Sequence, residues 1–361
     1  MNIQRVNAIV FCEGAFASTY GKTAHGLVRF TRRYNVATVI DSTLTSRAGT
    51  VQDAGEFLDR KPAGIPIVAG VGEALKTAVE SGRPATHFVV GIAVEGRQLP
   101  ESLVAAATEA LEAGLHIHSG LHVFLSEYPP LARIAGNRGL TILDIRKPPA
   151  VDKLHFFSGR IEEVGSFRTA ILGTDSAIGK RTTAWLIIQE LEKRGLSSEL
   201  IGTGQTAWMQ GADYSLIMDS LINDFVAGEI EHAVLSAWDD KHPAHIIVEG
   251  QGSLMNPAFP GGFEILAAAR PHCIVLQHAP ARKEYDGFPG FPLHPLTTQI
   301  QALELISGKT VVAVSVNHQG LNYSEVPGVC RRIQEETGLP CTDPLLEGPE
   351  RLVDAILKAA K

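Results

Sequence analysis

Apolar residues fall in short runs along the chain, and between the runs lie segments with an apolar position every three or four residues. In the first part the runs are VNAIVFC (6–12), VATVID (36–41), HFVVGIA (87–93) and LTILDIR (140–146), each rich in β-branched residues and read as a strand. ESLVAAATEALEA (101–113), followed by a glycine, has helical spacing. RKPPA (146–150) ends this series, because paired prolines continue neither a helix nor a central strand. A second series follows: FRTAILGT (167–174), SELIGTG (198–204), AHIIVEG (244–250), HCIVLQH (272–278) and TVVAVSV (310–316), with TTAWLIIQELEKRG (182–195) as a clear helix. Strands alternating with helices predict parallel sheets covered on both faces. The expectation is an α/β protein of two domains with mainly parallel sheets. A Rossmann-like first domain is expected over 1–149 and a second parallel-sheet domain over 150–361.

Size and charge sharpen this picture. A chain of 361 residues is longer than one hydrophobic core usually serves. Its net charge of −7 argues against a nucleic-acid surface and against an anionic membrane. The four cysteines lack the spacing of a disulfide framework or a zinc site. The N-terminus has a polar start and a short strand, not a secretory signal, and no segment approaches a membrane span. A cytoplasmic protein acting on a small molecule, assembled as a homo-oligomer, is expected. The Pro- and Gly-rich stretch 279–298 reads as one long loop, either covering a site or a plain insertion.

GTDSAIGKRTT (173–183) carries the first sign of chemistry. A strand runs in and an amphipathic helix runs out, so backbone N–H groups and a positive helix end converge on one point. Gly173, Thr174, Ser176, Gly179, Lys180, Arg181, Thr182 and Thr183 are the candidate phosphate-binding residues. The register is unusual: glycine stands at 173 where Thr174 would be expected to be glycine, and Arg181 follows the lysine. IIVEGQGSL (246–254) ends a second strand in a carboxylate and two glycines, which makes Glu249 a candidate metal ligand or general base. Asp175, Asp219 and Asp224 are further carboxylate candidates, Asp175 as a second catalytic group and the other two beside the substrate. TGQT (203–206) adds Gln205 and Thr206, and Gln251 joins them as an amide donor. Asn317 in NHQG (317–320) occupies the slot where P-loop proteins read a base.

The first part offers a second anion site at Lys22 and Thr23, or simply a helix start. Asp41 would suit a ribose hydroxyl, although no GxGxxG supports NAD. His118 and His122 are four apart without the glutamate of HExxH, so structural or substrate-contacting roles are expected, and His122 is taken as a substrate contact. Whether a metal is bound stays open.

GTDSAIGK…VEGQGSL resembles dethiobiotin synthetase, which implies a P-loop fold for the second half. A wider set of stretches extends over the whole chain: CEGAFASTYGKTAHGL (12–27), VATVIDS (36–42), VGIAVEG (90–96) through HSGLH (118–122), LDIRKPP (143–149), GTDSAIGKRTT, TGQT, DSLINDFVAGEIE (219–231) and EGQGSL (249–254). Together they resemble a two-domain family whose characterised members are D-glutamate N-acetyltransferases. The resemblance implies acetyl transfer from acetyl-CoA to the amine of D-glutamate in D-amino-acid catabolism. The phosphate loop would then carry CoA, with Arg181 neutralising an organic phosphate. The rival is an ATP- and Mg²⁺-dependent kinase or carboxylate–amine ligase of the dethiobiotin-synthetase type. Direct attack of the amine is expected in preference to an acyl-cysteine, since Cys273 lies within an apolar strand.

Overall fold

The computed structural model describes residues 5–45, 52–93 and 98–361, so residues 1–4 of the polar start and residues 94–96 of VGIAVEG lie outside the described residues. The chain forms two compact units, one of Met1–Pro148 with Gln205–Gly211, the other of Pro149–Gly204 with Ala212–Lys361.

In the first unit six strands, β1 (Val6–Phe11), β2 (Tyr34–Ile40), β3 (Ile67–Val68), β4 (His87–Val90), β5 (His116–Ser119) and β6 (Ile142–Asp144), lie in the order β3-β2-β1-β4-β5-β6. Every pairing among them is parallel. The chain winds outward from β1 in both directions, the Rossmann order, which opens a crevice at the carboxyl ends of β1 and β4. Ile9, Val10, Val39, Val89 and Ile117 are fully buried, as expected of strands covered on both faces.

The helix Gln205–Gln210 belongs to this unit although the sequence places it in the C-terminal half. Met209 is fully buried in the first core. Gln210 Nε2 donates to the Gly26 and Phe30 carbonyls at 2.8 Å each, and the Arg33 guanidinium lies 3.8 Å from the Trp208 ring centre. A clean division between 149 and 150 therefore needs this correction. Nothing local in QTAWMQ reveals which core its apolar face will join.

The second unit holds β7 (Phe167–Gly173), β8 (Ser198–Gly202), β9 (Tyr214–Ser215), β10 (His245–Glu249), β11 (Cys273–His278), β12 (Val311–Val316) and β13 (Cys341–Thr342), in the order β13-β12-β11-β7-β10-β8-β9. These pairings are all parallel too. The central strand β7 lies between β10 and β11, with Glu249 level with Ile171 and Gln277 level with Gly173. The loops after β7, β10, β11 and β12 therefore leave one edge of the sheet together.

The strand and helix expectations hold within a few residues; 182–195 is realised as Lys180–Lys193 and 101–113 as Glu101–Glu112. The run from Asp219 is not one continuous helix. Met218–Ser220 is a 3₁₀ turn, Leu221 and Ile222 are extended, and the helix is Asn223–Lys241. Ile222, just ahead of that helix, is half exposed.

Candidate functional site

The loop after β7 turns sharply into the helix Lys180–Lys193. Two of its residues are left-handed, Ala177 (φ 52°) and Gly179 (φ 96°). For alanine that conformation costs about 1–2 kcal/mol, a strain that marks the turn as shaped for more than connection. The backbone N–H groups of Ala177, Ile178 and Gly179 donate to no acceptor among the described residues. They stand ahead of the helix's positive end and make a cradle for an anion.

Lys180 is buried and lies back across the strand ends, its Nζ donating to the carbonyls of Asp175 (2.6 Å) and Gly252 (2.8 Å). This placement explains the unusual glycine register. A Cβ at Gly173 would sit 2.9 Å from Lys180 Cδ, so the glycine is needed at 173, where the lysine stem crosses. Thr174 needs no such clearance; its hydroxyl bonds His278 Nδ1 at 3.1 Å. Burial, with Lys283 nearby, pulls the His278 ring down to about 4 and keeps it neutral.

Asp175 organises the loop. It is fully buried; Oδ1 accepts from Ser176 N and Asn256 Nδ2, while Oδ2 accepts from Arg282 Nη1 (2.7 Å) and Asp286 N (2.9 Å). A carboxylate so engaged is committed to holding the turn, which corrects its expected catalytic role. Ser176 is held alongside, its hydroxyl accepting from Asn256 (3.2 Å) and its carbonyl from Arg282 (2.7 Å). Arg282 and Asp286 come from the Pro- and Gly-rich stretch, which is thus a cover pinned onto the phosphate loop. Neither Arg282 nor Asn256 was legible beforehand, since an arginine in a loop has no periodic signature.

Asn317, expected at a base, donates Nδ2 to the Ile178 carbonyl (2.8 Å) and accepts from Gln319 N, so it buttresses the loop. Thr183, expected on a phosphate or metal, turns inward to Gln277 and Ser315 and is buried. Arg181 and Thr182 are half-buried at the start of the helix.

Glu249 ends β10 beside this loop and is buried. Its Oε2 accepts from Thr203 N (2.9 Å), and the Thr203 hydroxyl in turn accepts from Gln251 Nε2 (3.0 Å). Burial pushes the carboxyl up, while Arg181, Thr203 and Lys180 partly restrain the rise. A carboxylate raised by burial is a stronger proton acceptor than an exposed one, which suits Glu249 to general-base work. Thr203 of TGQT thus reaches this edge, whereas Gln205 and Thr206 belong to the first unit. Asp219 and Asp224 are exposed, one on the 3₁₀ turn and the other in the first turn of its helix.

In the first unit Thr23 is buried and its hydroxyl meets that of Thr206 at 2.9 Å. Gln205 packs over Gly120, and Lys22 and His122 are exposed. Asp41 does not present itself to a ribose. Its carboxylate accepts from Gly14 N (3.1 Å), Phe16 N (3.0 Å) and the Thr43 hydroxyl (2.6 Å). His118 is packed against His87 and Trp208 and bonded to the Tyr34 hydroxyl (2.6 Å), a structural role. No cluster of three potential metal ligands occurs among the described residues. Nor is any helix among them long and apolar enough to cross a membrane.

The fold and site define a two-domain α/β protein in which a Rossmann-like sheet precedes a P-loop sheet with an anion cradle and a buried carboxylate. Residues 47–148 match a family described as a domain of unknown function, DUF1611_N, a Rossmann-like domain, and 155–353 match its P-loop domain, DUF1611_C. A D-glutamate N-acetyltransferase from Tritonibacter scottomollicae is 30% identical over 279 residues, covering 75% of this chain and 81% of the relative. Another of that name from a Pseudoalteromonas species is 30% identical over 279 residues, covering 74% and 80%. The crystal structure of a DUF1611 family protein from Anabaena variabilis matches with a TM-score of 0.87 at 29% identity, over 98% of this chain and 100% of that one. The chain belongs to this DUF1611 family, which includes the D-glutamate N-acetyltransferases.

Proposed function

We propose that this protein is an N-acetyltransferase that moves acetyl from acetyl-CoA to the amine of D-glutamate, in D-amino-acid catabolism. The name of its two relatives supplies the reaction. The observation that carries the reading at the site is Glu249, a buried carboxylate at the end of the strand paired with the phosphate-loop strand, facing Arg181 and Lys180. CoA would lie with a phosphate on the N–H groups of 177–179. Arg181, where a Mg²⁺-binding hydroxyl would follow the lysine, suits an organic phosphate neutralised by protein charge.

In this reading Glu249 takes a proton from the substrate ammonium and the freed amine attacks the thioester carbonyl. The tetrahedral oxyanion collapses, the C–S bond breaks, the surplus proton on the new amide nitrogen passes to the departing CoA thiolate, and Glu249 returns its proton to solvent. Cys273 supports direct transfer: it is buried on β11 and burial pushes its thiol up to about 11, so little thiolate is present to take the acetyl group.

The test is thiol release from acetyl-CoA on adding D-glutamate, with EDTA present and with L-glutamate alongside. D-Glutamate-dependent release that persists in EDTA is expected. ADP formation from ATP and Mg²⁺, without thiol release, would instead establish the kinase or ligase alternative.

A further inference from the structure

The loops after β12 and β13 bring together a pair that the reaction above does not use. His318 Nδ1 lies 2.6 Å from Asp343 Oδ2. Asp343 is buried, and its other oxygen accepts from Leu345 N (3.0 Å) and Leu346 N (3.2 Å), so the carboxylate is fixed. Its acceptor oxygen requires a proton on Nδ1, which leaves Nε2 on the opposite edge of the ring as the atom available to a ligand. The Tyr323 ring meets the imidazole in a T-shaped contact with centroids 5.2 Å apart, while a fifth of the His318 side chain stays open to solvent.

The pair sits against the phosphate loop through both chain neighbours. Asn317 donates to the Ile178 carbonyl at 2.8 Å, and Gln319 accepts from Arg282 Nη2 at 3.2 Å. Sheet order then assigns direction. From the phosphate-loop strand β7, Glu249 is one strand away on β10, whereas β12 lies two strands away on the other side, about 10 Å at ordinary strand spacing. CoA carries its pyrophosphate mid-molecule, with the thioester on one arm and a 3′-phosphorylated adenosine on the other. With the thioester at Glu249, the nucleoside arm runs over β11 and β12 toward His318.

We propose that His318, oriented by Asp343, receives the 3′-phosphate of CoA and so determines specificity for that coenzyme; this rests on the acetyl-CoA reading above. A phosphate at Nε2 gives the imidazole an oxyanion acceptor on each nitrogen, so both hydrogen bonds run to charged groups. ATP has no phosphate at that position and gains nothing from the pair.

Calorimetric titration with CoA and with dephospho-CoA, which lacks only the 3′-phosphate, tests this without turnover. Wild-type protein should bind CoA at least about tenfold more tightly than dephospho-CoA. His318→Ala should reduce that ratio below about threefold while leaving dephospho-CoA affinity within about twofold, and Asp343→Asn should give an intermediate ratio. His318→Gln, which keeps a polar side chain, guards against a folding defect and should also lose the discrimination. An unchanged ratio in the His318 variants, or equal weakening of both ligands, overturns the assignment while the acetyl-CoA reading stands. Wild-type protein that binds neither ligand removes both.

Discussion

The two units use the same device, a turn at the carboxyl end of a central parallel strand, in opposite ways. After β1 the N–H groups of Gly14 and Phe16 end on the carboxylate of Asp41, an anion supplied by the chain itself. After β7 the turn's own carboxylate, Asp175, is drawn aside by Arg282, Asn256 and Asp286 N, and the N–H groups of residues 177–179 keep no protein acceptor among the described residues. A Rossmann-like order thus does not make a nucleotide site. What matters is whether the amide cluster has already been satisfied from within.

Substitutions at the two turns should separate these uses. The largest effect is expected from Glu249→Gln, which should lower turnover by about 10²–10⁴-fold while changing the CoA dissociation constant by no more than about threefold, as read by thiol release and titration. Lys180→Ala should weaken CoA binding by about 10–100-fold, because it releases the Asp175 and Gly252 carbonyls and loosens the turn that carries the anion cradle. Asp41→Asn should leave CoA affinity unchanged and reduce stability by about 1–3 kcal/mol, visible as a lower denaturant midpoint. If Asp41→Asn instead abolished CoA binding with stability intact, the contrast between the turns would be wrong.

A further effect concerns pH, and His118 in the first unit and His278 in the second are the histidines with the large downward shifts. Burial pulls His118 down to about 3 and His278 to about 4, from an ordinary value of 6.5. Both are neutral in the folded protein where the unfolded chain is protonated. Stability should therefore fall as pH drops below 6.5, toward 4 for His278 and 3 for His118, by at most about 1.4 kcal/mol per pH unit for each ring. Thermal melts at successive pH values measure the slope, and His118→Gln should flatten it without altering CoA binding. A melting temperature that is constant from pH 7 to 5 would contradict this account.

Much of the frame was legible in the chain. β-Branched runs, a glycine-ended helix and the proline pair at 148–149 encode two α/β halves, because period and backbone restriction act over a few residues. The strand–Gly–Lys–helix succession marked the phosphate loop and VEGQG marked Glu249 for the same reason. The edge strands β3, β9 and β13 could not be read that way, since two residues show no period.

Sequence by itself determined the fold class and placed the Gly-Lys turn and Glu249 at the ends of their strands. Only the tertiary structure decided that Asp175 is a scaffold, that Arg282 reaches it from 107 residues away, that 205–211 completes the first core and that His318 is paired with Asp343. Those outcomes depend on which distant groups meet at a sheet edge. A side chain's partner across such a separation is set by topology and by the need to satisfy buried polar groups, neither of which leaves a mark on the residues nearby.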